Sequence, residues 1–248
     1  MPRPTLVTAD QVTLSGRRWL TDEAPSASVV LIHGFCASSD DAAVVAVAES
    51  LHRDGLDVVS YDARGHGRSM GESTLGDLEQ HDVAAAVELA RQRSDDVVLV
   101  GASMGAIAAL RYAATDATLR GVVSVSCPAR WTLPVNPAAA AAAVMTRTPF
   151  GRALLARMVK VRVARRWTNP EPPIELVSRL QVPLTVIHGT NDRFIPVKSS
   201  YELYAKATAE RSLELVPRMG HAYDQLATDA IRRAVMWSLT NRLVTPAL

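Results

Sequence analysis

Short runs of β-branched and aliphatic residues recur along the chain. They are "ASVVLIHG" (Ala27 to Gly34), "LDVVSYD" (Leu56 to Asp62), "DDVVLVG" (Asp95 to Gly101), "RGVVSVS" (Arg120 to Ser126), "PLTVIHG" (Pro183 to Gly189) and "SLELVP" (Ser212 to Pro217). Near-continuous apolar runs of this length are expected of strands covered by helices on both faces. The intervening segments, such as "DDAAVVAVAESLHRDG", "GDLEQHDVAAAVELARQR", "MGAIAALRYAA", "VKSSYELYAKA" and "TDAIRRAVMWSLTNRLV", read as helices. Strand–helix–strand repetition predicts an α/β fold with a mostly parallel, doubly wound sheet. The first segment, Thr5 to Trp19, reads as an antiparallel hairpin at one edge.

The alternation breaks once. From Pro128 to about Leu180 no strand is expected, and prolines crowd both ends of the interval. Two helical patches lie inside it, "AAAAAAVMT" and "GRALLARMVKVRVARRW". The expected organisation is a core in two parts, residues 1–127 and 181–248, with a small helical cap at 128–180 inserted after the fourth apolar run.

Composition narrows the class. The chain has 248 residues, 48% hydrophobic and 21% charged, with a net charge of +2. It can fill a large core, and it has no global field that would favour nucleic acid. No window holds the roughly 18 apolar residues of a membrane span. "MPRPTLVTADQVTL" lacks the apolar stretch of a signal peptide, so a cytoplasmic protein is expected. Cys36 and Cys127 follow different runs, with another strand expected between theirs. That puts them roughly 10 Å apart at about 4.8 Å per strand, beyond disulfide reach. Two small buried thiols are the expectation, with no metal spacing.

Candidate chemistry centres on "GASMG", where the third run meets a helix. Glycines two before and two after Ser103 let neighbouring elements approach a sharp turn that projects the hydroxyl. The helix starting there aims free N–H groups at the same space, the N–H of Met104 first. A serine nucleophile needs a base. His33 and His188 end apolar runs and look structural, while His52 and His81 sit in helical segments. His66 lies in the Gly-rich turn "YDARGHGRS", and His221 follows the last run in "PRMGHA". His221 is the best candidate base. Its carboxylate partner is Asp192 in "VIHGTNDRFIP", with Asp224 the weaker alternative and Asp62 better suited to bracing a turn.

These motifs carry a resemblance. With "HGF" after the third strand, "YDARGHGRS" after the fourth, "GASMG" after the fifth and "HGTNDRFIP" followed by "GHA", the chain resembles the α/β-hydrolases over nearly its whole length. It looks most like their carboxylesterase and monoacylglycerol-lipase-like branches. The resemblance implies Ser103 as nucleophile, Asp192 as acid and His221 as base, with the backbone N–H groups of Phe35 and Met104 as the oxyanion hole. It implies cleavage of a small or medium acyl ester through an acyl-enzyme, without metal or organic cofactor. An acyl thioester is the main alternative; a perhydrolase, a peptidase or a non-catalytic binding protein stand behind it. Ala102 departs from the histidine or tyrosine frequent there, which weakens assignment to one subfamily. Trp131, Met145, Met158 and Trp167 could line an acyl pocket, and equally could be cap core. From Val122 to Arg166 the chain has eight basic residues and no acidic one. A solvated helix face or attraction of an anionic substrate or lipid would each account for that.

Overall fold

The six apolar runs are strands lying side by side and parallel. They are β3 (Ser28–Ile32), β4 (Asp57–Tyr61), β5 (Val97–Ala102), β6 (Gly121–Val125), β7 (Leu184–Gly189) and β8 (Arg211–Val216), preceded by the hairpin β1 (Thr5–Val7) and β2 (Thr13–Trp19). The computed structural model describes residues 3–131, 137–166 and 168–241, without the side chains at 138 and 139. The sheet order is β1-β2-β4-β3-β5-β6-β7-β8, with β2 antiparallel to β4. Every residue of β3 to β7 is buried, which is why those strands show no in–out alternation, whereas β8 at the edge is only partly covered.

The two faces pack separate cores. Val30, Leu99, Val122 and Val186 join one core with residues of α2 (Glu79–Arg91) and α3 (Met104–Ala113) on one face. Leu31, Val100, Val123 and Ile187 meet α1 (Ala42–Arg53) and α8 (Ala227–Thr240) on the other. Strand order reverses at β3, which is flanked by β4 on one side and β5 on the other. A crevice opens beyond the carboxyl ends of strands at such a switch. The loops after β3 and β5 therefore become neighbours, although about 70 residues separate them in sequence.

Between β6 and β7 lie α4 (Pro137–Arg147), α5 (Pro149–Met158) and the short α6 (Pro173–Val177). Thr148 caps α5 by accepting the Gly151 N–H at 3.0 Å, with Pro149 in the first turn. The helix expected over 151–167 is corrected: it stops at Met158. Lys160 adopts φ +55°, and the Val161 N–H turns back to the Leu155 carbonyl at 3.3 Å. The chain then runs extended. Arg162 donates its N–H to the Gly65 carbonyl and accepts the Ser73 N–H, at 2.8 and 2.7 Å. "VKVRV" alternates with period two, and its β-branched residues favour that extended path. Leu155, Val161 and Val163 form a small buried cluster packed against Phe35 and Met145. The helix is thus exchanged for a strap that presses the insert onto the loop after β3.

Candidate active site

The elbow after β5 is built by close approach. Ser103 has φ 52° and ψ −113°, a strained conformation for a residue with a Cβ. A Cβ on Gly105 would sit 2.5 Å from the His33 carbonyl oxygen, and one on Gly101 would sit 2.4 Å from the Gly105 carbonyl oxygen. Glycine is required at both places because β3 and α3 crowd the turn. We expect Gly105→Ala to force β3 and α3 apart and to lower both thermal stability and activity, read by calorimetry beside an ester assay.

The strained serine faces the loop after β8. Ser103 Oγ lies 3.0 Å from His221 Nε2, and His221 Nδ1 lies 2.7 Å from Asp192 Oδ2. Burial opposes the charge on Asp192, but the contact with His221 and the N–H groups of Ile195 and Phe194 hold its pKa below the usual carboxylate value. A carboxylate only accepts, so Nδ1 carries the proton and Nε2 is left to accept from the serine hydroxyl. The other Asp192 oxygen accepts the N–H groups of Phe194 and Ile195 at 2.8 and 2.9 Å. Asp224 takes no part in this chain: it accepts the N–H groups of Gly220 and Leu226.

The N–H groups of Phe35 and Met104 have no acceptor among the described residues. Around them the loop after β3 is held by two histidines and an aspartate. His66 Nε2 accepts the Cys36 N–H at 3.3 Å, and its ring meets Phe35 edge-on. His33 Nε2 accepts the Ala63 N–H at 2.9 Å. Asp62 accepts the Ser39 N–H and hydroxyl and the Arg68 N–H, bracing the loop as its position suggested. The loop carrying His221 is fixed by Ser126 Oγ, which accepts the Ala222 N–H, and by Tyr223, whose hydroxyl reaches the carbonyls of Ile32 and Val100 at 2.9 Å each. No sequence pattern pointed to Ser126 or Tyr223, since their partners are about 100 or more residues away. Tyr223→Phe should cost about 1–2 kcal/mol, measured by urea unfolding, because a hydroxyl buried between two strands is lost.

The lining candidates separate. Met145 packs on the same Leu155, Val161 and Val163 cluster as Phe35, and Trp131 packs on the main core with its indole N–H given to the Pro170 carbonyl at 2.5 Å. Met158 lies on the outer surface at the end of α5, which removes it from a closed acyl pocket. Trp167 lies outside the described residues. Cys127 is buried, and burial pushes its thiol up to about 12. Cys36 is exposed, a correction to its expected burial, because the loop turns outward there at φ 63°. Among the described residues, no group of three or more His, Cys, Asp or Glu could hold a metal ion. No helix there is long and apolar enough to cross a membrane.

Comparison with known proteins agrees with this architecture. Residues 23–172 match the α/β-hydrolase family described as serine aminopeptidase, S33. The chain belongs to that family. Residues 145–246 of this α/β-hydrolase also match the family described as PhoPQ-activated pathogenicity-related protein. It is 27% identical over 186 residues to the uncharacterized protein YqkD of Bacillus subtilis, covering 68% of this chain. The chain spans only 56% of that relative's length. It is 28% identical to an uncharacterized Mycobacterium tuberculosis protein, covering 91% of this chain and 76% of that one. Among solved structures, an esterase of Pyrococcus furiosus superposes with a TM-score of 0.71 at 23% identity, covering 96% of this chain and 91% of that one. Est1E from Butyrivibrio proteoclasticus, solved with ferulic acid bound, gives 0.71 at 18%, covering 96% and 100%. These likenesses show the fold.

Acid should weaken this hydrolase through His66. Burial, followed by repulsion from His33, lowers its pKa from 6.5 to about 4. The folded pKa is the depressed one, so the full stability is present above pH 6.5 and is lost as pH falls toward 4. The loss is about 3 kcal/mol at 1.4 kcal/mol per pKa unit. Urea midpoints between pH 7 and pH 4 should fall steeply in the native protein and less steeply in His66→Gln. Parallel declines would remove His66 as the cause.

Proposed function

We propose that the chain is a serine hydrolase that cleaves small or medium acyl carboxylic esters through an acyl-enzyme. The observation that carries the reading is the continuous chain of contacts from Ser103 through His221 to Asp192. His221 takes the Ser103 proton at Nε2 as Oγ attacks the ester carbonyl. Asp192 stabilises the imidazolium and keeps its orientation. The N–H groups of Phe35 and Met104 receive the developing oxyanion, a donor pair worth about 3–4 kcal/mol per member. His221 then gives the proton to the leaving alcohol, and water repeats the cycle on the acyl group.

In this reading the core is residues 1–127 and 181–248, and the segment 128–180 is a cap. Met145 and Trp131 are the proposed acyl contacts. The family's peptidase name points to a second substrate class. A peptidase that reads a free α-amine needs a carboxylate near the scissile bond. The cap offers none before Glu171, since no acidic residue lies between Asp116 and Glu171, and Glu171 itself pairs with Arg179. Ester is therefore favoured over amide.

The test is a rate series over acyl length with matched oxygen esters, thioesters and amides. Oxygen esters of short and medium acyl groups are expected to turn over fastest, in solution and without an interface. Thioesters leading at every chain length would move the assignment to a thioesterase. Amides leading would move it to a peptidase.

A further inference from the structure

The outer surface of the insert carries chemistry that the proposed reaction does not use. The exposed positions of α4 are proline, alanine, valine and arginine, with Ala140, Val144 and Arg147 on one stripe. Those of α5 include Phe150, Ala153, Ala156 and Arg157, again one continuous side. A surface helix of a globular protein ordinarily turns charged and polar residues outward and apolar ones inward. Here Phe150 is 78% exposed, Met158 71%, Val144 57% and Val159 46%.

The charge that residues 137–166 bring to this surface is of one sign. Arg147, Arg152, Arg157, Lys160, Arg165 and Arg166 make no ion pair among the described residues. Elsewhere Arg64, Arg91, Arg93, Arg179, Arg232 and Arg233 each hold a carboxylate. Arg152, Arg162 and Arg165 line an open groove of about 480 Å³ together with Glu72. A continuous helix over 151–167 would have put Arg165 on the stripe of Leu154 and Met158, mixing charge into the apolar side. The break at Met158 removes that conflict, because the later arginines leave on the extended strap.

We propose that this α4–α5 surface docks on an anionic lipid bilayer. Phe150, Val144, Met158 and Val159 enter the headgroup boundary, and the arginines meet lipid phosphates. Apolar side chains set among unpaired cations suit that interface on both counts. Arginine's planar fork accepts phosphate oxygens in pairs. The same insert packs through Leu155, Val161 and Val163 onto Phe35, so docking would bring the loop beside Ser103 close to the bilayer. An acidic protein surface would match the charge but would not require so much exposed apolar area.

The test is cosedimentation of Ser103→Ala protein with vesicles, which keeps binding separate from any reaction on lipid. Binding is expected to vesicles of equal phosphatidylglycerol and phosphatidylcholine, and not to phosphatidylcholine alone. It should weaken between 0.1 and 0.5 M salt, where screening shortens from about 10 Å to a few Å. Arg157→Glu with Arg165→Glu should weaken it about 25-fold or more, at about fivefold per cation near the surface. Val144→Ser with Phe150→Ser should weaken it about tenfold through lost apolar burial. Four results would overturn the proposal. They are no binding to the anionic vesicles, equal binding to both kinds, displacement by millimolar glycerol phosphate, and full binding by the Val144→Ser, Phe150→Ser protein. The third would make the groove a site for a soluble phosphorylated ligand, and the fourth would reduce docking to plain charge adsorption.

Discussion

Ser103→Ala and His221→Ala are each expected to lower the turnover of a soluble ester by about a millionfold, because the proposed nucleophile and base would act as one unit. What remains is the contribution of the oxyanion donors and of substrate binding. The two losses should not add: the double variant should be no slower than either single one. Stability should change little, since Ser103 Oγ and the His221 ring are only partly buried and their contacts lie within the site. Near-normal hydrolysis by either folded variant would remove the proposed roles. Rates measured on purified protein, with melting curves recorded beside them, decide the matter.

Asp192→Asn has the next largest expected effect, about 10⁴-fold in kcat. The amide can offer its NH₂ to His221 Nδ1 and so favours the tautomer in which Nε2 carries the proton. That nitrogen then cannot take the Ser103 proton. Asp224→Asn supplies the contrast. Its oxygens serve only the N–H groups of Gly220 and Leu226, so activity should fall within about tenfold through loosening of the loop. A severe Asp224→Asn beside a mild Asp192→Asn would relocate the acid.

Much of this site was legible because its logic is local and topological. Short β-branched runs such as Val97 to Val100 favour strands buried on both faces, and their alternation with helices points to a parallel sheet. Residues just after such strands fall at one rim, which is why Ser103, Asp192 and His221 could be grouped despite their distance in sequence. What sequence did not reveal depends on contacts between distant segments. His33 and His66 read as ordinary turn or strand-end residues, yet their nitrogens hold the loop that presents the Phe35 N–H. The end of α5 was hidden for the opposite reason. "ALLARMVKVRV" satisfies a helical pattern up to Met158, and the pairing of Arg162 with Gly65 and Ser73 holds the extended path beyond it. The alternation of Val159, Val161 and Val163 was the available signal. Cys36 was expected inside because it follows a buried strand, but the outward turn at positive φ exposes it.

The central claim is that Ser103 is a nucleophile activated by His221. Intact-mass analysis after treatment with a fluorophosphonate tests it most directly, because the reagent needs an activated serine and no knowledge of the substrate. One adduct per chain is expected, located on Ser103, absent in Ser103→Ala and formed far more slowly in His221→Ala. Absence of any adduct under conditions that label a control serine hydrolase, or an adduct that persists in Ser103→Ala, would contradict it.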